Sequence, residues 1–211
     1  MSAPVLSCAL LADGSTDRAL VPILEWSIHG HRPELAVRMA GFRVRGGTKV
    51  PEAMEEAART FAPDILFVHR DAEGLGLERR LAEIPITGGK VVRVVPVRMT
   101  EAWLLVDEAA IRTASGNPNG RSPLALPPST DLEGIADPKG VLRELLMAAS
   151  GHSTRRKLKR LRRDLPLRVQ RVASLVRDYG PLRALPAYRA FCEELSRVLD
   201  RVRPPAPPVQ A

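Results

Sequence analysis

The residues best suited to chemistry in this 211-residue chain are acids that sit just after apolar runs. Asp13 and Asp17 follow the run Val5 to Leu11. His69-Arg70-Asp71 and then Glu73 follow Ile65 to Val68. Arg98 and Glu101 follow Val91 to Val97. Carboxylates gathered at one place repel one another unless a cation or a proton relieves them. Hard divalent cations take oxygen ligands, often one or two carboxylates completed by waters and a substrate phosphate. A metal held this way activates water or clamps a phosphodiester. Each residue also has a plainer reading. Asp13-Gly14 fits a tight strand-to-helix turn, and Asp17 fits the first turn of a helix, where the dipole favours an acid. Asp71 and Glu73 fit loop or cap positions, and Glu101 fits a solvated helix face. Arg70 and Arg98 fit either a phosphate or these same acids.

The grouping has meaning only if the runs are strands of one sheet. Val5 to Leu11 is closed by Asp13-Gly14-Ser15, and a helix capped by Ser15 or Thr16 follows, bent at Pro22. Ala36 to Val44 reads as a second strand and Glu52 to Phe61, opened by Pro51, as a helix. Ile65 to Val68 is a short buried strand, Leu75 to Ile84 an amphipathic helix, and Val91 to Val97 a β-branched strand. Strands alternating with helices give a mostly parallel sheet, and such sheets bind ligands beyond the carboxyl ends of their strands. All three acid-bearing exits then share one edge. Beyond residue 100 the pattern turns helical: Thr100 to Ser115, Asp137-Pro138 to about Ala149, Ser153 to Asp164, Leu167 to Tyr179 and Pro186 to Val202. Gly116 to Asp131 is a loop, and the proline-rich 204–211 reads as a disordered tail. The reading is α/β, a mostly parallel sheet flanked by helices, with a helical C-terminal elaboration. The core spans 1–115, and the basic helical region packed on it spans 116–203.

Ala12-Asp13-Gly14-Ser15-Thr16-Asp17 after a strand resembles the first motif of the TOPRIM fold, and His69-Arg70-Asp71 resembles a variant of its Asp-x-Asp motif. With 95–105, Gly116-Asn117-Pro118-Asn119-Gly120 and Asp137-Pro138-Lys139, nearly the whole chain is similar to a TOPRIM-related family, domain of unknown function 4276. The resemblance implies a TOPRIM-like core and a Mg²⁺- or Mn²⁺-dependent nuclease or related phosphodiester-processing protein. Asp13, Asp71 and Glu101 would hold the metal, with Glu73 accessory. Asp13 stands where the family usually has Glu, and His69 replaces the first Asp of the pair. Imidazole suits softer metals than Mg²⁺. His69 is therefore a ligand or a proton-transfer group, or catalysis has been lost and the fold binds nucleic acid or a partner without cutting. Related nucleases work beside an ATPase in phage defence, so an ATPase partner is implied by resemblance alone. A nucleotide at the Gly14 turn is a weaker idea, because the turn lacks a P-loop lysine.

The net charge is +8 and it is localised. Residues 152–203 carry 15 Lys and Arg against 5 Asp and Glu, and the rest carry 17 against 19. Arg155, Arg156, Lys157, Lys159, Arg160, Arg162 and Arg163 are seven basic residues within nine positions. Such density neutralises several phosphates and makes binding salt-sensitive. It also fits a solvated face or an acidic protein partner. Few aromatics interleave, so base stacking is not indicated. No apolar run reaches the roughly 18 residues of a membrane span. Two distant cysteines, Cys8 and Cys192, give neither a disulfide framework nor a zinc pattern, and the expected compartment is the cytoplasm.

Overall fold

Alternate side chains of β1 (Val5–Ala12) bury themselves on opposite sides, and that alternation sets the architecture. The chain is described here from a computed structural model, which covers residues 4–12, 14, 16–43, 48–72 and 75–204, with Phe42 and Arg43 described by backbone alone. The expected tail lies, from 205 on, outside the described residues. A 3-10 turn (Thr16–Ala19) leads into α1 (Leu20–His31), then β2 (Ala36–Arg43), α2 (Val50–Phe61), β3 (Ile65–His69), α3 (Leu77–Ala82) and β4 (Val91–Val94). A second 3-10 turn (Thr100–Leu104) precedes α4 (Glu108–Ser115), α5 (Pro138–Ala149), α6 (Arg155–Arg163), α7 (Leu165–Leu175) and α8 (Pro186–Val202).

The protein is an α/β fold. All strand pairs are parallel, in the order β2-β1-β3-β4. One face of the sheet, through Ala9, Leu11, Leu66 and Val68, packs on Ala53, Met54 and Ala57 of α2, with Leu77 and Leu81 of α3 partly buried beside them. The other face, through Leu6, Leu10, Phe67, Val92 and Val94, meets α1 and the helices beyond residue 107 in one larger core. Trp103 lies at its centre, edge-on to Tyr188 at 5.3 Å between ring centroids. Among the described residues no helix is long and apolar enough to cross a membrane.

Several elements differ from the sequence reading; the helix expected over Leu75 to Ile84, for one, is the shorter Leu77–Ala82, and a 3-10 turn (Ser129–Gly134) begins inside the loop expected to run to Asp131. The helix expected over Thr100 to Ser115 is broken, because Asp107 caps α4 by accepting the Ala110 N–H at 2.9 Å. The last strand ends at Val94 instead of Val97; Pro96 has no N–H for a ladder. Pro22 lies in the first turn of α1, where its missing N–H costs nothing, so it marks the join to the 3-10 turn and not a bend within the helix. The helix placed over Leu167 to Tyr179 is α7, set earlier at Leu165–Leu175; Val176 is extended.

Candidate functional site at the sheet's carboxyl edge

From β1 the chain crosses to β2 on one side, and later to β3 on the other. The crevice where parallel sheets bind ligands therefore opens beyond the ends of β1 and β3. His69, the last residue of β3, is buried there at 2% exposure. Its Nδ1 lies 3.0 Å from the Val94 carbonyl oxygen, to which it donates, and this fixes the ring so that Nε2 faces the crevice. Around Nε2 stand the Thr100 hydroxyl at 3.3 Å, Asp71 Oδ1 at 3.5 Å and Asp17 Oδ2 at 3.8 Å. The Thr100 backbone N–H donates to Asp71 Oδ1 at 3.1 Å, tying the exit of β3 to the 3-10 turn after β4. The Gly14 N–H donates to Asp17 Oδ2 at 2.7 Å, tying the exit of β1 to the same group.

Two expectations change here. Asp17 does more than favour a helix dipole: it is buried, folded back on the β1 loop and turned toward His69. The Gly14 amide, the natural phosphate donor of a nucleotide-binding turn, is already engaged by Asp17, which removes the footing for that idea.

Burial pushes the Asp71 carboxyl up to about 6, and the negative charges of Asp17 and Glu101 push in the same direction, against the pull of His69 and the Thr100 N–H. Glu101 is 7% exposed, yet among the described residues its carboxylate has no hydrogen bond or ion pair. It lines a cleft of about 770 Å³ together with Thr16, Lys139, Arg143 and Arg162. Asp13 and Glu73 lie outside the described residues.

No group of three or more His, Cys, Asp or Glu among the described residues is placed to hold a metal ion. The donors present nonetheless suit a sparser arrangement. Asp71 and Glu101 carry hard oxygen donors near enough for the charge of one to act on the other, and Mg²⁺ commonly takes one or two carboxylates and completes its shell with water and phosphate. His69 is 2% exposed, with its Nε2 facing the crevice. Its geometry positions Asp71, Asp17 and Thr100.

Arg70 and Arg98, read as phosphate-binding, are both half-buried at the same edge, and Arg98 Nε has no hydrogen-bond partner among the described residues. Of the seven basic residues of α6, only Arg162 lines the cleft. Arg155, Arg156, Lys157, Lys159, Arg160 and Arg163 point to solvent, while Leu161 is buried and Leu158 half-buried. Arg160 and Arg163 also approach Asp164 at 3.8 and 3.2 Å. The sequence reading missed Lys139, Arg143 and Thr100. The signal for the first two was available: Lys139, Arg143 and Met147 recur every four residues, opposite the buried Leu142, Leu145, Leu146 and Ala149.

Compared with models of protein families, with curated proteins and with solved structures, the chain matches none of them.

Proposed function

We propose that the protein is a divalent-metal-dependent nuclease, or a related phosphodiester-processing protein, acting on nucleic acid. The observation that carries this reading is the convergence of Asp17, His69 and Asp71 at the crevice between β1 and β3, with Glu101, which has no ion pair among the described residues, close enough for its charge to raise the Asp71 pKa. The resemblance to TOPRIM proteins supports it. Asp71 and Glu101, with Asp13 and Glu73, would hold Mg²⁺ or Mn²⁺, which when bound would supply charge neutralisation and an acidified water. His69 and Thr100 hold Asp71 in place, and Arg98 and Arg70 would meet the substrate backbone. A partner ATPase, a role in phage defence and a cytoplasmic location belong to the same proposal. Both cysteines are free, and burial pushes the Cys8 thiol up to about 12, which leaves it inert at neutral pH.

The test is cleavage of plasmid DNA and of RNA with Mg²⁺ or Mn²⁺, comparing wild type with Asp71→Ala. Metal-dependent cleavage that disappears in the variant is the expected result. Absence of cleavage with either metal, on either substrate, sinks the reading. One observation favours a second reading, a module that binds without cutting. The His69 imidazole lies buried between two carboxylates, in a place where a cation would otherwise relieve them. Salt-sensitive nucleic-acid binding with no cleavage is its signature.

A further inference from the structure

The cleft beside Glu101 has walls of different chemistry. Lys139, Arg143 and Met147 come from one face of α5, Arg162 from the end of α6, and Leu165, Pro166 and Val169 from α7. Thr16 and Glu101 close the end nearest the acidic edge. Lys139, Arg143 and Arg162 are exposed and make no ion pair among the described residues. Three cations without an ion pair among the described residues thus share the cleft with an apolar strip, with one acid, Glu144, exposed among them.

This arrangement matches a polymer that is anionic on one side and apolar on the other. The cations would meet phosphates, and the strip would meet sugars and base faces. A duplex carries its phosphates on the outside of a thick rod, with its bases turned inward. To bring a phosphodiester to a carboxylate buried as deeply as Glu101, the backbone has to enter the cleft, and a strand does this without the cost of unpairing. No aromatic side chain lines the cleft, so stacking does not select bases.

We propose that this cleft is a track for a single strand of nucleic acid, gripped by Lys139, Arg143 and Arg162 and leading to Glu101. The destination rests on the reading of the acidic edge as a phosphodiester site; the track itself does not.

The test is fluorescence anisotropy of the full chain, in chelator, with a labelled oligothymidine of about 20 nucleotides and with a blunt duplex of equal length, over salt from about 50 to 200 mM. Wild type is expected to bind the strand more tightly than the duplex. Lys139→Ala with Arg143→Ala should weaken strand binding by ~10-fold and flatten the log-log salt slope by about 1.4, at about 0.7 for each phosphate no longer neutralised. The comparator is Arg59→Ala with Arg79→Ala, an equal charge change on exposed residues of α2 and α3, beyond the other face of the sheet. It should leave strand binding close to wild type. All four side chains are exposed, so alanine leaves the core untouched. Equal weakening in the two double variants, or a duplex bound as tightly as the strand, overturns the proposal. Because no metal is present, the outcome separates from that of the nuclease assay. Strand binding abolished in the α5 variant, without any cleavage by wild type, keeps the track and removes the enzyme. Cleavage with unchanged binding in that variant does the reverse.

Discussion

Asp71 is held at a cost. Its folded pKa lies near 6, above the ordinary value of 3.8, so the native state holds this proton more tightly than the unfolded chain does. The contribution of Asp71 to stability therefore falls as pH rises from about 4 to about 6 and stays reduced above that, by roughly 2 kcal/mol once partial solvent exposure is allowed for. Asp71→Asn keeps an oxygen for the Thr100 N–H and removes the charge. In chelator at pH 7.5 it should be more stable than wild type by about 2 kcal/mol, with the gain gone near pH 4. Urea titrations at the two pH values check this, and an Asn variant equal to wild type at pH 7.5 refutes it. His69→Asp would bury a further carboxylate in the same group and should lower stability in chelator by about 3 kcal/mol. Added Mn²⁺ should restore much of that stability if the crevice takes a cation, and a melting curve indifferent to metal would count against the site. The sequence made His69, Asp71 and Glu101 visible because each follows an apolar run. It hid the partnership of Asp17 with His69, which depends on how the loop after β1 folds back, and the approach of Thr100, 31 residues from His69 in sequence.

At the scale of elements, the exposed edge of β4 is closed by a side chain and not by another strand. Glu194 of α8 accepts the Arg93 backbone N–H at 2.8 Å and grips the same residue's guanidinium at 2.8 to 3.2 Å. Glu194→Ala would orphan a backbone donor and leave Arg93 unpaired, costing about 3 kcal/mol in a denaturant titration. Asp107→Ala removes the α4 cap and should cost about 1 kcal/mol in the same measurement. The strand and helix alternation of the first hundred residues was legible because apolar runs and turn residues are local signals. The break at Asp107 was not, because the cap competes with an otherwise continuous helical pattern. The closure of β4 was hidden for a different reason: its two residues are 101 positions apart.

At the scale of the whole molecule, charge and packing divide the chain differently. The charge is concentrated in residues 152–203, which suggests an appendage fastened to an α/β unit. The packing contradicts independence. Leu6, Leu10, Phe67, Val92 and Val94 of the sheet share one core with Leu142, Leu146, Val172, Tyr188, Phe191, Leu195 and Leu199 of the later helices. The Tyr188 hydroxyl lies 2.7 Å from the Ser27 hydroxyl of α1, so even the buried polar groups cross the boundary. A chain cut after Ser115 would strip α5, α7 and α8 from a core that α1, Trp103 and α4 only partly fill, and each large apolar side chain returned to water costs about 1.5–3 kcal/mol. Together those costs exceed the whole stability of an ordinary domain. The full chain should therefore melt in one calorimetric transition, while the fragment ending at Ser115 should show no cooperative transition and should bind a hydrophobic dye. A fragment that melts cooperatively would mean that α1 and α4 on one face and α2 and α3 on the other suffice to hold the sheet, and the basic helices would then be a separable arm. If it does not, the helices that line the strand cleft are the same ones that hold the acidic edge together, and binding and site geometry cannot be uncoupled by truncation.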